Sequence, residues 1–449
     1  MPSFIPGPTY REMLHPETLP APVRVQASSA VANELDPANL FNIAWRSPEG
    51  TVRCIALPKE LTGVDANILV LAGRWFPSGS HKVGPAYATL MEGELAGEIE
   101  PGSSRIVGPS TGNFGIGTAY VSKLKGYPAT VIMPEQMSAE RYARIRQYGG
   151  DLDLTPGSES DVILVLQRTE EYKKDSHNKI LAQFELLPNY RFHRYVTGRS
   201  ALEAARAHGN GQIAAFVSAP GSAGTLAAGD EIKARFPEAI VCALEPKECS
   251  TLFNCGRGTH RIEGIGDKMV TLIHNVLTTD YVGLVHDDDC VMGLELLEHQ
   301  RPQMEHMLKL PAGAWSGLAG LFGVSGVCNV LGSIRLARFL NLGAGENVVT
   351  IATDGFDRYP SVLANLKERV GEPLLERWFQ SIFREWNAEE ILDVRPRQQK
   401  ERLFASKEEV WTPFGYSKPY LERMKSQSFW DAEFEKIHEV DPALAKSRG

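Results

Sequence analysis

The sequence predicts an α/β protein with two open, twisted parallel sheets, because short apolar runs alternate with helical stretches in two separate blocks. The first block covers residues 105–173, and the second starts at Ile213 and ends at Ala352. Alternation of this kind is typical of βαβ units, in which a helix connects two parallel strands. Loops rich in glycine and serine follow strands in both blocks. Since ligands bind at the carboxyl ends of parallel strands, we expect a ligand cleft between the blocks.

The individual elements follow from the apolar runs and from their boundary residues. Helix Ser138–Tyr148, for example, begins at a serine that suits an N-cap. In the first block the predicted elements are strand Arg105–Gly108, helix Asn113–Leu124, strand Ala129–Met133, helix Ser138–Tyr148, strand Asp151–Thr155 and helix Asp161–Lys173. In the rest of the α/β body they are strands Val52–Leu57 and Asn67–Ala72, strand Ile213–Val217, helix Leu226–Arg235, and strands Ile240–Glu245 and Asn347–Ala352.

These elements predict four regions of the chain. Residues 1–50 form an N-terminal arm, and residues 51–105 together with 200–365 form the larger domain. Residues 106–199 form a small mobile domain that binds substrate. Residues 366–449 are charged and form a helical C-terminal extension, which holds four of the seven tryptophans, at positions 378, 386, 411 and 430. These indole rings pack either on the protein's own body or at an oligomer interface.

Composition narrows the possible partners. The chain has 449 residues and a net charge of −8 without a basic stripe, which argues against nucleic acid and anionic membranes as partners. No apolar run reaches the roughly 18–20 residues of a membrane span. Six cysteines lie scattered without a CxxC pair, so we expect no metal site and no disulfide framework. With no signal peptide evident, a cytoplasmic protein is expected.

The first candidate for chemistry is Lys82, in the run from Phe76 to Gly84 that reads Phe-Pro-Ser-Gly-Ser-His-Lys-Val-Gly. A helical stretch follows it, so the amine lies at a helix start. Desolvation and the helix dipole both lower the pKa of an amine there, which favours the neutral nucleophile. Such a lysine suits Schiff-base formation with an aldehyde. The neighbouring His81 is interpreted as a packed or solvated histidine.

Two further loops complete the pattern. Ser110–Gly115 reads Ser-Thr-Gly-Asn-Phe-Gly, and Asn113 in it either caps the following helix or binds a ring hydroxyl. Ser218–Thr225 reads Ser-Ala-Pro-Gly-Ser-Ala-Gly-Thr between a strand and a helix, where backbone N–H groups favour a phosphate. Either loop alone is also explained by turn conformation. Together with Lys82 they indicate pyridoxal 5'-phosphate as the cofactor.

At these positions the chain resembles the fold-type II pyridoxal phosphate enzymes, specifically the cysteine synthase and cystathionine beta-synthase branch of the tryptophan synthase beta superfamily. The landmarks occur in the family's order. They are Ser80–Val83, Ser110–Gly115, Gly126–Ser138, Gln183 with Phe184, Gly221–Thr225, Gly323–Gly326 and Asp357–Tyr359. The resemblance implies two parallel-sheet domains with the cofactor in the cleft between them, and a homodimer.

The resemblance also implies residue roles. Lys82 would hold the cofactor as a Schiff base and act as general base in β-replacement or β-elimination on a small amino acid, through an α-aminoacrylate intermediate. Ser325 would face the pyridine nitrogen and Asn113 the ring hydroxyl. The phosphate would lie on Gly221, Ser222, Ala223, Gly224 and Thr225. The substrate carboxylate would lie on Ser110, Thr111, Gly112, Asn113 and Gln183.

Some positions depart from the family pattern. Phe114 replaces the usual threonine, and the segment Gly264-Ile-Gly-Asp267-Lys268 carries charges where the family has small residues. Asp267 or Lys268 would either meet a charged substrate group or form a salt bridge between rigid elements. Alternative functions are a threonine synthase-like enzyme, a dehydratase or ammonia-lyase, and a non-catalytic homologue of the same fold.

Overall fold

The computed structural model describes residues 4–371 and 374–448, and its strands form two sheets. The strands are β1 (Cys54–Ala56), β2 (Asn67–Ala72), β3 (Arg105–Pro109), β4 (Ala129–Pro134), β5 (Asp151–Thr155), β6 (Asn178–Ile180), β7 (Ile213–Ser218), β8 (Ile240–Pro246), β9 (Tyr281–Val285), β10 (Asn347–Ala352) and β11 (Ile391–Asp393). The predicted α/β class is confirmed, because every strand predicted in the two blocks is present.

The larger sheet has the order β1-β2-β10-β7-β8-β9-β11. Its five inner strands are parallel, with Thr350 of β10 opposite Val70 of β2. Both edges differ from the predicted parallel sheet, because β1 and β11 run antiparallel to their neighbours. All six residues of β10 are buried at the centre. A strand buried on both faces is expected to be mostly apolar, and four of the six residues of β10 are apolar.

The smaller sheet has the order β5-β4-β3-β6 and is parallel throughout. Ile106 of β3 lies opposite Ala129 of β4, and Val107 lies opposite Ile180 of β6. The three-residue strand β6 was not predicted. It is flanked by polar residues and is too short to show the alternation of apolar and polar side chains that indicates a strand. The carboxyl ends of β3 and β4 therefore share one edge, where the loop that begins at Ser110 leaves the sheet.

Helices cover these sheets and form most of the two ends of the chain. They are α1 (Tyr10–Leu14), α2 (Ala21–Ala30), α3 (Lys59–Thr62), α4 (Val83–Leu95), α5 (Asn113–Lys125), α6 (Ala139–Gln147), α7 (Val162–Tyr172), α8 (Pro188–Phe192), α9 (Gly198–Ala205), α10 (Ala227–Arg235), α11 (Thr251–Asn254), α12 (Asp287–Glu298), α13 (Arg301–Met307), α14 (Val324–Phe339), α15 (Pro360–Val370), α16 (Leu375–Phe383), α17 (Arg397–Trp411), α18 (Lys418–Arg423), α19 (Gln427–Glu435) and α20 (Ile437–Ser447).

The two ends of the chain pack on each other and on the α/β body. The backbone N–H of Tyr10 donates to Asp441 at 2.8 Å, and Arg448 forms an ion pair with Glu12 at 2.6 Å. The C-terminal extension is helical, as predicted, but it also supplies β11 to the larger sheet. Trp411 and Trp430 are fully buried within this single chain, so packing on the protein's own body explains both.

Three features that the sequence does not predict are a membrane span, a disulfide framework and a metal site. No helix among the described residues is long and apolar enough to cross a membrane. The six cysteines are free, including Cys249 and Cys255. Across residues 4–371 and 374–448, no cluster of three or more histidine, cysteine, aspartate or glutamate side chains is arranged to hold a metal ion.

Candidate active site

Lys82 lies at the junction of the two sheets, immediately before helix α4. Its neighbour Ser80 forms an isolated β-bridge with Asp354, just beyond the end of β10. Helix α5, which follows the smaller sheet's strand β3, packs against the same turn: a side chain at Gly117 would meet the Lys82 carbonyl oxygen at 3.1 Å. Glycine thus lets α5 approach the lysine backbone closely.

The amine of Lys82 has a lowered pKa. Burial removes water from the ammonium form and lowers the pKa to about 8, although Asp267, Glu159 and Asp354 act in the opposite direction. A substantial fraction of the amine is therefore neutral near pH 8. A neutral amine is the form that attacks an aldehyde, as the sequence interpretation of Lys82 requires.

The Ser110–Gly115 loop is held by its own first side chain. Ser110 Oγ accepts hydrogen bonds from the N–H groups of Gly112 at 3.0 Å and Gly115 at 2.8 Å. Gly112 has a φ of 154°, and a side chain there would collide with Arg141. The loop is thus shaped by Ser110 and Gly112, and it presents Thr111 and Asn113 at the start of α5.

Asn113 joins a buried polar network that crosses between the sheets. Its Nδ2 donates to Asp354 Oδ2 at 2.6 Å, and the Tyr359 hydroxyl donates to the same oxygen at 2.9 Å. Arg141 Nη2 donates to the Tyr359 hydroxyl at 3.0 Å, and Arg141 also pairs with Glu263. The sequence interpretation missed Arg141 and Asp354 as site residues. Only Asp354 had a signal, because it follows a predicted strand in a Thr-Asp-Gly turn.

The Ser218–Thr225 loop connects β7 to α10, as predicted. Ala223 adopts a left-handed φ of 67°, and Ser218 Oγ and Thr225 Oγ1 share a hydrogen bond of 2.8 Å across the loop. A side chain at Gly221 would meet the carbonyl oxygen of Gly264 at 2.5 Å. The loop therefore forms a compact turn with small residues on its inner side.

Side chains outside the loop fix its position. Asn189 Nδ2 donates to Ser222 Oγ at 3.0 Å, and Thr271 Oγ1 donates to the Ser222 carbonyl at 2.8 Å. Asn329 of α14 accepts a hydrogen bond from the Ala219 N–H at 2.7 Å. Neighbouring elements thus hold the loop on three sides. None of these supporting residues was identified from the sequence, because each becomes a neighbour only in the folded chain.

Two buried histidines lie beside the loop. The rings of His81 and His193 are 5.1 Å apart, and a side chain at Gly224 would meet His193 Cδ2 at 2.9 Å. Burial lowers the pKa of both imidazoles well below the usual value, with the Lys82 charge as a further cause. Both nitrogens of His81 and Nε2 of His193 make no hydrogen bond within the described structure. His81 is packed, as expected, but its ring nitrogens are available to a ligand.

The donor set fits pyridoxal phosphate. Ser325 Oγ and Asn113 Oδ1 are buried and have no hydrogen-bond partner among the described residues. A pyridine nitrogen and a ring hydroxyl would satisfy such atoms, and the Gly221–Thr225 turn with the adjacent imidazoles suits a phosphate. Lys82 is the amine for the aldehyde. These residues, fixed on elements of both sheets, would hold the group.

Gln183, which is predicted to contact the substrate carboxylate, is buried and its side chain bonds to the protein backbone. Its Nε2 donates to the Pro109 carbonyl at 3.3 Å, and its own carbonyl accepts from Asn189 at 2.9 Å. Gln183 thus joins the base of the Ser110–Gly115 loop to Asn189, which contacts the Ser218–Thr225 loop. Its contact with a substrate carboxylate stays a prediction.

Asp267 and Lys268, the two charged residues that depart from the family pattern, lie in different environments. Lys268 forms an ion pair with Asp161 at 2.6 Å near the surface, so the salt-bridge interpretation describes Lys268. Asp267 is buried and neither of its oxygens accepts a hydrogen bond in the described part of the chain. Burial, followed by repulsion from Glu159, raises the pKa of Asp267 well above its usual value.

Comparison with known proteins agrees with this geometry. The family model described as pyridoxal-phosphate dependent enzyme matches residues 48–354. A cysteine synthase of Staphylococcus aureus is 31% identical over 286 residues, which are 64% of this chain and 84% of that protein. A probable cysteine synthase of Bacillus subtilis is 32% identical over 214 residues, which are 47% of this chain and 68% of that protein.

Solved structures show the same fold. O-acetylserine sulfhydrylase isoform 3 from Entamoeba histolytica has a TM-score of 0.61 at 24% identity, over 74% of this chain and 93% of that chain. A hydrogen sulfide-producing enzyme, solved with an α-aminoacrylate intermediate, has a TM-score of 0.58 at 26% identity, over 73% of this chain and 89% of that chain. The chain therefore belongs to the fold-type II family of pyridoxal phosphate-dependent enzymes, among relatives named cysteine synthase, and pyridoxal phosphate is its cofactor.

Proposed function

We propose that this enzyme catalyses β-replacement or β-elimination on a small amino acid. The observation that carries the proposal is Lys82, a buried lysine of lowered pKa whose backbone packs against helix α5, the helix that follows the Ser110–Gly115 loop. Cysteine synthase relatives and the hydrogen sulfide-producing enzyme support chemistry at the β-carbon. When bound, pyridoxal phosphate supplies an aldehyde for the substrate amino group and a ring that withdraws electrons from the α-carbon.

Each site residue then has a definite task. The Lys82 amine holds the cofactor and afterwards removes the proton from the substrate α-carbon. Thr111 and Asn113, at the start of α5, orient the substrate carboxylate with backbone N–H groups of the same loop. The neutral Ser325 hydroxyl would face the ring nitrogen and would leave it without a fixed negative partner, which would favour loss of a β-substituent over transamination.

An absorbance titration tests the proposal. The purified holoenzyme is titrated with O-acetylserine, serine and cysteine, and keto acid release is measured in parallel. We expect at least one compound to shift the cofactor absorbance band and to be consumed. Lys82→Ala should still bind amino acid but should not turn it over, because the proton acceptor is missing. Lys123→Ala, on the helix that follows the substrate loop, is the matched control and should keep wild-type activity.

Two outcomes would contradict the proposal. If none of the three compounds changes the absorbance band, the enzyme does not act on small β-substituted amino acids. If Lys82→Ala retains turnover, another group removes the proton.

The small mobile domain over residues 106–199, the homodimer and the cytoplasmic location stay predictions. Size-exclusion chromatography with light scattering tests the homodimer directly.

A further inference from the structure

The cleft contains two buried carboxyl groups whose oxygens have no hydrogen-bond donor of good geometry among the described residues. Asp267 is 6% exposed and Glu159 is 2% exposed. None of their four carboxylate oxygens accepts a hydrogen bond of good geometry within residues 4–371 and 374–448, although the Thr111 hydroxyl and the Gly264 backbone face Glu159. A buried carboxylate without a partner is costly, so its retention calls for a ligand.

Both carboxyl groups belong to the active site rather than to a remote pocket. Asp267 and Glu159 interact electrostatically with Lys82 and with each other. Asp267 lines a small cavity that also touches Gly221 of the phosphate turn. Glu159 lines a cavity of about 630 Å³ that opens between the smaller sheet's loops and helix α15. The two carboxyl groups line different cavities, and their interaction with Lys82 places both of them near its amine.

The third carboxyl group near Lys82 serves as an internal comparison. Asp354 accepts hydrogen bonds from Asn113 and Tyr359, and the Arg141 guanidinium lies 3.8 Å away. Its charge is thus compensated by the protein. The Arg141 charge also acts on Glu159, but no side chain donates a hydrogen bond of good geometry to Glu159 or Asp267, and Lys82 itself does not donate to either. Asp354 Oδ1 also has no partner among the described residues, but Asp267 and Glu159 differ in that neither of their two oxygens has one.

The chemistry of the missing partner follows by elimination. The cofactor's phosphate is an anion and would be repelled by carboxylates, and the substrate's own carboxylate would be repelled as well. The α-amino group of the substrate is taken by the cofactor aldehyde. A metal ion needs more ligands than these two carboxyl groups offer, and no larger metal-binding cluster exists among the described residues.

We propose that Asp267 and Glu159 bind a second, positively charged amino group, carried on the side chain of the amino acid substrate. This inference rests on the proposed function and narrows it. The substrate class is then an ammonium-bearing compound rather than a neutral acetyl ester with sulfide. The ammonium group donates to both carboxylates, and those hydrogen bonds are charge-assisted and therefore strong.

A matched pair of non-reacting ligands tests the proposal. L-2,4-diaminobutyrate and L-norvaline have side chains of equal length, and they differ in a terminal ammonium group against a methyl group. Their dissociation constants are measured on the holoenzyme at pH 8 by calorimetry and by the cofactor absorbance band. We expect the wild-type enzyme to bind diaminobutyrate about tenfold more tightly or better, the effect of one strong charge-assisted contact.

Substitutions test whether Asp267 and Glu159 cause the tighter binding of diaminobutyrate. Asp267→Asn and Glu159→Gln keep the side-chain shape and remove the charge, so each should reduce the preference to within about threefold. Asp153→Asn, on strand β5 and paired with Arg168, is the control and should leave the preference unchanged. Because the readout is a ratio of two ligands on the same protein, partial loss of folded enzyme does not affect it.

The outcomes separate this inference from the proposed function. If both ligands shift the absorbance band with equal affinity, the cation site is disproved and the proposed function stands. If the preference exists but survives both Asp267→Asn and Glu159→Gln, another group binds the ammonium. If neither these ligands nor O-acetylserine, serine and cysteine produce any response, both the proposed function and this inference are wrong.

Discussion

Lys407 of the C-terminal helix α17 donates hydrogen bonds to the carbonyl oxygens of His274 at 2.6 Å and of Leu272 at 3.0 Å. The segment it contacts also contains Thr271, whose hydroxyl supports the Gly221–Thr225 turn. Trp411 at the end of the same helix donates to the Val270 carbonyl at 2.8 Å. Helix α17 therefore forms the outer support of the cofactor loop, although it lies outside the residues matched by the family model.

The ionisation of Lys407 predicts a pH-dependent stability. Burial lowers its pKa to about 7, whereas in the unfolded chain it titrates near 10.5. Between these values the unfolded state binds the extra proton, so the lysine's contribution to the free energy of unfolding rises with pH. Lys407→Met should lack this contribution. Urea unfolding of both proteins at pH 7, 8 and 9 measures the difference, and parallel curves would contradict the prediction.

The lowered pKa of Lys82 predicts how the cofactor binds. The neutral amine attacks the aldehyde, and its fraction rises as pH passes through about 8. Reconstitution of cofactor-free protein should therefore accelerate from pH 6.5 to 8.5 and then level off. Stopped-flow absorbance measures this rate. A rate that keeps rising toward pH 10.5 would mean that the amine has an ordinary pKa.

Thr271→Val tests the support beneath the phosphate turn. The substitution removes the hydrogen bond to the Ser222 carbonyl, and a bond of this kind contributes about 1 kcal/mol, or roughly fivefold in cofactor affinity. Thr169→Val is the matched control, because Thr169 is also buried and donates to the Val165 carbonyl within α7. Both variants should lose similar stability, but only Thr271→Val should bind the cofactor more weakly in equilibrium dialysis.

Gly112→Ala tests the close contact with Arg141. Alanine at this position would be strained by the φ of 154° and would displace Arg141 from the Tyr359 network. Gly126→Ala also has a positive φ, of 79°, but its added carbon meets no atom within 4 Å. We expect Gly126→Ala to cost about 1 kcal/mol of stability. Gly112→Ala should cost about 2–4 kcal/mol and also weaken substrate binding. Equal losses in thermal unfolding would refute the contact.

Asp267→Asn should stabilise the ligand-free enzyme. Burial and repulsion from Glu159 raise the pKa of Asp267, which means that the carboxyl group opposes folding at neutral pH. Asparagine removes the charge, and we expect a gain of about 1–3 kcal/mol in the free energy of unfolding. Denaturant unfolding measures it, with Asp153→Asn as the control that should not gain stability, because the Asp153 carboxylate is paired with Arg168. A loss of stability would show that Asp267 has a partner in the ligand-free enzyme.

The strands and loops of the α/β body were predictable because their signals are local. Strands Asn67–Ala72 and Asn347–Ala352 were predicted to the residue, since each is a mostly apolar run that begins at an asparagine. The glycine loops after β3 and β7 could be placed for the same reason. Strand β11 was missed, because three residues carry no readable alternation and their pairing with β9 depends on the whole fold.

The supporting residues of the site could not be read from the sequence. Arg141, Asn189 and Thr271 are ordinary polar residues in their local segments, and they reach the cleft only through the packing of distant elements. Asp267 stood out because a charge replaced a small residue in a recognised pattern. Its burial, and the ion pair of its neighbour Lys268 with Asp161, became clear only from the structure.

The contact between the two chain ends bears on how the protein is synthesised. Tyr10 is fully buried, and its backbone N–H bonds to Asp441, a residue that leaves the ribosome more than four hundred positions later. Glu12 likewise forms an ion pair with Arg448, which is synthesised much later. The arm also bonds to the α/β body, where the Tyr10 hydroxyl donates to Glu92, but its contacts with the C-terminal helix form only when that helix emerges. Nascent chains stalled before α20 should therefore be cleaved in the arm faster than the full-length protein.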